Sequence, residues 1–275
     1  MGATRAVELL RLEDGRLDPH HDEVAAEEPL EIRVDGEPLS VVMRTPGHDA
    51  ELALGLLVSE GIVRRAEDIG EIEHCAEEEA DNVVNVVLSS SADRRGIESA
   101  RRLLVTSSSC GLCGKTTLES LSLKHARFDD VPELDVGTLA KLPEQLARLQ
   151  PGFLRSGGLH AAAIFDEAHA RIVAREDVGR HNAVDKCVGA LVLTELLPVP
   201  RATLVVSGRV SFEIVQKAIA ARIQTVVAVS APSSLAVEVA RAMNLGLVAF
   251  ARGDRANLYS GRARPHRDFA APQPW

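Results

Sequence analysis

RATLVVSGRVSFEIVQKAIAARIQTVVAVSAPSSLAVEVARAMNLGLVAFA (residues 201–251) decides the fold. RATLVVSG (201–208), TVVAVSA (225–231) and LGLVAFA (245–251) are short, nearly continuous apolar runs. SFEIVQKAIAA (211–221) and SSLAVEVARAMN (233–244) lie between them with helical spacing. A strand that is apolar at almost every position is buried on both faces. The alternation therefore predicts a parallel or mixed sheet with helices packed on its faces. In such sheets ligands bind beyond the carboxyl ends of the strands. The turns expected there are Ser207-Gly208-Arg209, Ser230-Ala231-Pro232 and Arg252-Gly253-Asp254.

Working outward, LHAAAIFDE (159–167) and ARIVARED (170–177) read as paired strands. GRHNAVDKCVGALVLTELL (179–197) reads as a long helix stopped by Pro198, and VGTLAKLPEQLARLQ (136–150) as a helix interrupted at Pro143. Upstream the chain is β-rich. EPLEIRV (28–34) and EPLSVVMRT (37–45) flank Asp35-Gly36, a hairpin dipeptide. HDAELALGLLVSEGIV (48–63) is the one helix of this part, with Gly61 as its stop, and DNVVNVVLSS (81–90) is a strand. EEEAD (77–81) reads as a solvated turn, SADRRGIESARRLL (91–104) as a short helix, and TSSSCGLCGK (106–115) as a loop. The fold class is α/β (α+β overall). The expected division is a β-rich N-terminal domain (1–105), a Cys-x-x-Cys loop with a connecting helix (106–150), and an α/β domain (151–275).

The 275 residues are 45% hydrophobic and 26% charged, which excludes a mostly disordered chain. The net charge of −9 excludes duplex nucleic-acid binding by bulk charge, so any anion site must be local. No apolar run approaches a membrane span, and no signal peptide or myristoylation pattern opens the chain. Four cysteines are too few for a disulfide scaffold in a chain of this size. These readings place the protein in the cytoplasm with reduced thiols and no membrane partner.

Cys110-Gly111-Leu112-Cys113 is the sharpest local signal. Two thiols at this spacing can share a metal, form a disulfide or relay a sulfur atom. The neighbouring glycines keep the sulfurs accessible, and Lys115 favours thiolate. A structural zinc site needs four ligands; no second cysteine pair exists, so Cys75, Cys187 or a histidine would have to complete one. A zinc deaminase needs His-x-Glu, whereas His160 is followed by Ala161-Ala162. Glu176 to Lys186 is densely polar at a strand-to-helix junction. Asp177 is placed to cap the helix, and Asp185 to orient His181 at i,i+4. The concentration of Arg, His, Asn, Asp and Lys argues for a lined pocket. Gly157-Gly158-Leu159-His160 adds an imidazole. Ser207-Gly208-Arg209, between a strand and a helix, suits an anion. RGDRANLYSGRARPHR (252–267) holds five arginines against one aspartate, and arginine forks suit phosphate.

Seven segments carry a resemblance to a known family: RTPGHDAELALGLLVSEGI (44–62), SSCGLCG (108–114), GGLHAAA (157–163), REDVGRHNAVDK (175–186), VSGRVSFEIVQKA (206–218), VSAPSSLAVEVA (229–240) and FARGDRANLYS (250–260). The chain resembles the formate dehydrogenase accessory sulfurtransferase family (FdhD) from about residue 25 to 260. The resemblance implies a sulfurtransferase with a cysteine persulfide intermediate. Sulfur would pass from a cysteine desulfurase to the molybdenum bis(molybdopterin guanine dinucleotide) cofactor, as formate dehydrogenase activity requires. No cofactor would be permanently bound; the molybdenum cofactor would be the bound acceptor. Cys110 would carry the sulfur, with Cys113 as its partner and no metal. The cofactor contacts implied are Phe250, Ala251, Arg252, Gly253, Asp254 and Arg255. Arg180, His181, Lys186 and Arg209 join them as candidate phosphate and hydrogen-bond partners. The resemblance further implies a homodimer and a three-layer C-terminal domain similar to the cytidine deaminase fold. Ala251 stands where some members have a second cysteine, Leu56 replaces a common aromatic, and Cys187 reads as helix core. The competing function is a zinc-stapled, non-enzymatic molybdoenzyme chaperone; a zinc hydrolase or deaminase is a third.

Overall fold

The computed structural model describes residues 2–74, 82–98, 100, 121 and 125–264. The fold is mixed α/β. Its largest sheet has the strand order β13-β12-β11-β10-β8-β9. The strands are β8 (His160–Phe165), β9 (Arg171–Asp177), β10 (Thr203–Val206), β11 (Thr225–Ala228), β12 (Gly246–Arg252) and β13 (Arg255–Ser260). β10, β11 and β12 run parallel, while β8, β9 and β13 are antiparallel to their neighbours. The apolar strands are buried on both faces because alternate residues enter two different cores. Leu204, Val206, Val226, Ala228, Leu247 and Ala249 join one core cluster; Val205, Val227 and Val248 join the other.

The first core is covered by helices α5 (Arg180–Leu193), α6 (Phe212–Ala220) and α7 (Ser234–Ala242). The second is covered by α2 (Val136–Leu139) and α3 (Leu142–Ala147) through Leu139, Leu142 and Leu146. The helix expected over 136–150 with an interruption at Pro143 is two short ones, and the break falls at Ala140-Lys141, just before the proline. Pro143 sits in the first turn of α3, where its missing N–H costs nothing.

The upstream sheet has the order β4-β3-β6-β5, from β3 (Glu28–Val34), β4 (Glu37–Arg44), β5 (Ile69–His74) and β6 (Val83–Leu88). The Asp35-Gly36 hairpin forms as expected, with both residues at positive φ. Helix α1 (Asp49–Ser59) follows and ends just before Gly61, which has φ 75°. Helix α1 lies directly on α5. A Cβ on Gly55 would stand 2.5 Å from Cα of Asp185, and one on Gly189 would stand 2.8 Å from Cα of Glu51, each closer still to the carbonyl. Glycines on both helices thus let the two backbones touch.

Several elements go beyond the sequence reading. β1 (Thr4–Glu13) and β2 (Arg16–Ala25) form a separate two-stranded ribbon around Asp14-Gly15. Strand β5 was also unassigned, because IGEIEH carries only two apolar residues. β14 (Arg262–Ala263) closes the described chain by pairing with β7 (Glu133–Leu134). The last helix before the edge strand is α4 (Pro151–Ser156). No described helix is long and apolar enough to cross a membrane.

Candidate functional site

The polar segment 175–186 splits into two groups. Most of it is structural. Arg175 binds Glu51 of α1 through two 2.6 Å hydrogen bonds. Burial alone would raise the Glu51 carboxyl, but Arg175 and then His48 hold it down to about 2. Glu176 accepts from the backbone N–H groups of Gly152 and Phe153 at the start of α4. Asp177, fully buried, forms a 2.7 Å ion pair with Lys186 and accepts from the N–H of Thr45. Lys186 Nζ also donates to the Thr45 carbonyl at 2.8 Å. Asn182 donates to Met43 O and to Asp177. These bonds lock the 44–51 segment onto the start of α5.

Three sequence expectations change here. Asp177 lies two residues before the N-cap Gly179 and accepts that residue's own N–H, so it supports the turn rather than capping the helix. Asp185 does not orient His181; it points into the α1–α5–α6 contact and takes two 2.7 Å bonds from Lys217 and one from Ser59. Lys186 is 1% exposed and spent on Asp177 and Thr45, so its ammonium does not face an anion.

The remaining residues, Arg180 and His181, face a different neighbourhood. His160 begins β8 opposite Asp177 in the register of β9. The Ser207-Gly208-Arg209 turn follows β10 beside it. A Cβ on Gly208 would sit 3.3 Å from His160 Nδ1 and 3.6 Å from Arg180 Cδ, so glycine keeps the backbone close to both side chains. Arg180 Nε is buried and has no hydrogen-bond partner among the described residues. His181 Nε2 lies 3.1 Å from Ser211 Oγ and 3.8 Å from Glu213. Ser211 is the N-cap of α6, yet its hydroxyl makes no cap bond. Ser233, the equivalent residue of α7, does cap, accepting from Ala236 N–H.

Electrostatics follow from this packing. Burial, then Arg180 and Lys217, push His181 down to about 4. Burial, then Arg180 and Arg209, hold His160 below the ordinary imidazole range. Both rings are neutral at pH 7 and can accept as well as donate hydrogen bonds. Two guanidinium groups thus flank two neutral imidazoles at the carboxyl edge of β10.

A model of the FdhD/NarQ family matches residues 25–266. The chain belongs to the FdhD/NarQ family. It is 45% identical over 278 residues to the Sulfur carrier protein FdhD of Streptomyces avermitilis, covering 98% of both chains. It is 44% identical to the Sulfur carrier protein FdhD of Mycobacterium tuberculosis, over 86% of this chain and 89% of that one. A crystal structure from Desulfotalea psychrophila, provisionally described as a formate dehydrogenase accessory protein, superposes with a TM-score of 0.74. At 21% identity, with 94% of this chain and 98% of that chain covered, this likeness speaks for the fold.

The other candidate residues of this FdhD/NarQ chain lie as follows. The turn after β11 is stitched to the turn after β10: Val210 N–H donates to Ala231 O, and Ser233 N–H to Val210 O. Phe250 N–H donates to Ser230 O, which brings Phe250 to the same edge. Phe250 has φ 53° and is 44% exposed, at an irregularity in the β12–β13 pairing. A left-handed aromatic residue is unusual, and the bulge turns it out of the sheet. Ala251 is buried in the second core, so it is a packing residue. Arg252, Gly253, Asp254 and Arg255 form the exposed turn of the β12–β13 hairpin, with Gly253 at φ 59° beside Glu144. Cys110 and Cys113 lie outside the described residues, as does Cys75. Cys187 is core, as expected: it donates to Ala162 O, and burial pushes its thiol up to about 12. Ser211 and Glu213 were not among the expected site residues. A serine before a helix reads as an ordinary cap, and only its bond to His181 marks it.

Proposed function

We propose that this protein is a sulfur carrier that serves formate dehydrogenase by delivering sulfur to its molybdenum cofactor. The near full-length match to relatives named sulfur carrier proteins supports the carrier role. The observation that carries the acceptor is the buried Arg180 Nε, unpartnered among the described residues and set among His160, His181 and Arg209. A protein of net charge −9 has gathered unspent positive charge at one sheet edge, which fits a polyanionic dinucleotide acceptor.

In this reading the Cys110 thiolate attacks the terminal sulfur of a desulfurase persulfide. The new S–S bond forms on Cys110, the old one breaks, and the desulfurase thiolate leaves with the electron pair. No net oxidation occurs. Cys113 is the partner thiol. The molybdenum bis(molybdopterin guanine dinucleotide) cofactor is the substrate that receives the sulfur. Arg180 and Arg209 hold its phosphates, the neutral rings of His160 and His181 accept from its donors, and Phe250 offers an apolar face. Arg252 and Arg255 give the open turn a further positive charge. The chemistry belongs to the cytosol, where thiols stay reduced.

The test is peptide mass measurement after mixing the protein with a cysteine desulfurase and free cysteine, without reductant. One added sulfur on the 110–113 peptide, lost in Cys110→Ala, is expected. No added sulfur, with one bound metal per chain that Cys110→Ser loses, would replace this reading with the zinc-stapled chaperone.

A further inference from the structure

Ser211 stands at the N-cap of α6, but its hydroxyl does not serve the helix. Ser233, in the equivalent place on α7, accepts from Ala236 N–H; Ser211 makes no such bond. A serine at an N-cap stabilises its helix through that bond, so forgoing it calls for another use of the oxygen. Ser211 Oγ lies 3.1 Å from His181 Nε2 instead, and the Glu213 carboxylate stands 3.8 Å from the same nitrogen.

The chemistry of these three groups fixes where their protons sit. A hydroxyl has one hydrogen to donate, and an ionised carboxylate only accepts. Burial alone would raise the Glu213 carboxyl, but the Ser211 hydroxyl, then its own backbone N–H, His181 and Arg180 hold it below the usual carboxylate range. Glu213 is therefore ionised and takes the Ser211 proton. That leaves a lone pair of Ser211 Oγ for His181, so Nε2 must carry the hydrogen. The carboxylate beside it favours the same arrangement, because it attracts an N–H and repels a nitrogen lone pair.

The ring carries only that one hydrogen at pH 7. Burial, then Arg180, Lys217 and His160, act against a second proton, and Glu213 alone acts for it. Nδ1 is thus a bare acceptor. It has no hydrogen-bond partner among the described residues, and it is not sealed from solvent. The arrangement is no hydrolytic triad. In a triad the serine gives its proton to the imidazole, and a carboxylate holds the opposite ring nitrogen. Here the serine gives to Glu213 and the opposite nitrogen is open.

We infer that Ser211 and Glu213 are positioning residues, which fix the hydrogen of His181 on Nε2 and so present Nδ1 as the acceptor for an N–H group of a bound nucleotide base. The ligand rests on the acceptor reading above; the placement of the hydrogen does not. Arg180 and Arg209 bring only donors to this edge, which suits phosphates. A base N–H arriving beside them needs an acceptor. A ring with its hydrogen on Nδ1 would set donor against donor and leave both unpaired.

The test uses the full chain. Long-range proton–nitrogen correlation NMR reads which imidazole nitrogen bears the hydrogen, and His181→Gln assigns the signal among the nine histidines. Calorimetry reads the binding of GDP and, separately, of inorganic pyrophosphate, which has the charge but no base. The wild type is expected to hold His181 in the Nε2–H form alone. Ser211→Ala and Glu213→Ala are expected to mix both forms, while Ser211→Thr, which keeps the hydroxyl, is expected to retain one. Ser211→Ala is expected to weaken GDP binding about tenfold, the loss of one well-placed hydrogen bond, with pyrophosphate binding unchanged and Ser211→Thr restoring it. A wild-type ring with its hydrogen on Nδ1, or shared between the two nitrogens, would overturn the inference. So would an unmixed ring in both alanine variants, undiminished GDP binding in Ser211→Ala, or parallel losses of GDP and pyrophosphate, which mark a structural residue. A wild type that binds neither probe would sink the acceptor reading and the base contact with it; the NMR signal then still decides whether Ser211 and Glu213 position the ring. If Ser211→Ala does not fold, Glu213→Ala decides by the same two readouts.

Discussion

Substituting Gly189 by alanine sets two opposing effects against each other. Alanine is the better helix former by about 1 kcal/mol, so in an isolated α5 the change would stabilise. In the folded protein the new methyl would lie 2.8 Å from Cα of Glu51 and closer to its carbonyl. The neighbour is helix backbone, which cannot rotate aside as a side chain would. Helices α1 and α5 must therefore part, against the 3.1 Å Ser59–Asp185 bond that spans the same contact. Overpacking typically costs about 1–3 kcal/mol, and a backbone obstacle belongs at the top of that range. The net expectation is a loss of about 2 kcal/mol. For a chain of this size that lowers the melting temperature by roughly 4–8 °C. Gly137→Ala is the control, since its nearest obstacle is Asp135 Oδ1 at 3.5 Å, and it should be neutral or slightly stabilising. Thermal unfolding followed by circular dichroism reads both. A Gly189→Ala protein that melts at or above the wild-type temperature would refute the close-contact argument.

Three further outcomes follow from the buried charges. Lys217→Met leaves Asp185 buried without its partner, and breaking such a pair costs about 3–5 kcal/mol in urea titrations. Burial already pushes Asp185 up and Lys217 holds it back, so without Lys217 the carboxyl should hold its proton more firmly; stability should then fall more steeply than in the wild type as pH rises through that raised value. His181 is depressed to about 4, so the unfolded chain binds its proton first and stability should fall as pH drops from 6.5 toward 4. His181→Gln should flatten that limb, and an imidazole NMR titration with a midpoint at or above 6.5 would contradict it. Arg180→Ala should leave sulfur loading on Cys110 unchanged while lowering formate dehydrogenase activity in cells at least tenfold; equal loss of both would place Arg180 in folding instead.

The large sheet was legible because both of its faces are buried, which makes β10, β11 and β12 apolar at nearly every residue. The Asp35-Gly36 hairpin was legible because one of its faces is buried and alternates. The β1–β2 ribbon has the same signal in Asp14-Gly15, but neither face enters a core, and the alternation beside the turn is confined to Leu10-Arg11-Leu12 and Leu17-Asp18-Pro19 in otherwise charged strands. Phe250 was placed at the site by resemblance alone; its positive φ and outward turn come from the β12–β13 bulge, which no local pattern announces. Asp177, Asp185 and Lys186 were misread for one reason. Their partners Thr45, Ser59 and Lys217 are more than thirty residues away in sequence, and spacing reports only local neighbours.

The segment 175–186 therefore has two kinds of residue that sequence cannot separate. Arg175, Asp177, Asn182 and Lys186 bind residues 43–51, and Asp185 binds Ser59 and Lys217. They fix the position of α5 and hence of its first turn. Arg180 and His181 occupy that first turn and keep polar groups unspent on the lock. A buried network of this size is worth little as net stability, because desolvation offsets most of the attraction. Its consequence is geometric. An arginine whose Nε is buried without a partner persists only if the backbone beneath it cannot relax. Loss of one lock residue should thus do double damage, exposing an unpaired charge and letting Arg180 find an internal partner in place of an anion. Thr45→Val separates the two effects: it keeps the Thr45 backbone bonds to Asp177 and Lys186 and removes only the hydroxyl that accepts from Val178 N–H. It should cost about 1–3 kcal/mol for the unsatisfied N–H while lowering anion affinity at the Arg180 edge, read as weaker binding of a guanine nucleotide probe. A variant destabilised by that amount with unchanged nucleotide affinity would show that the lock and the site are independent.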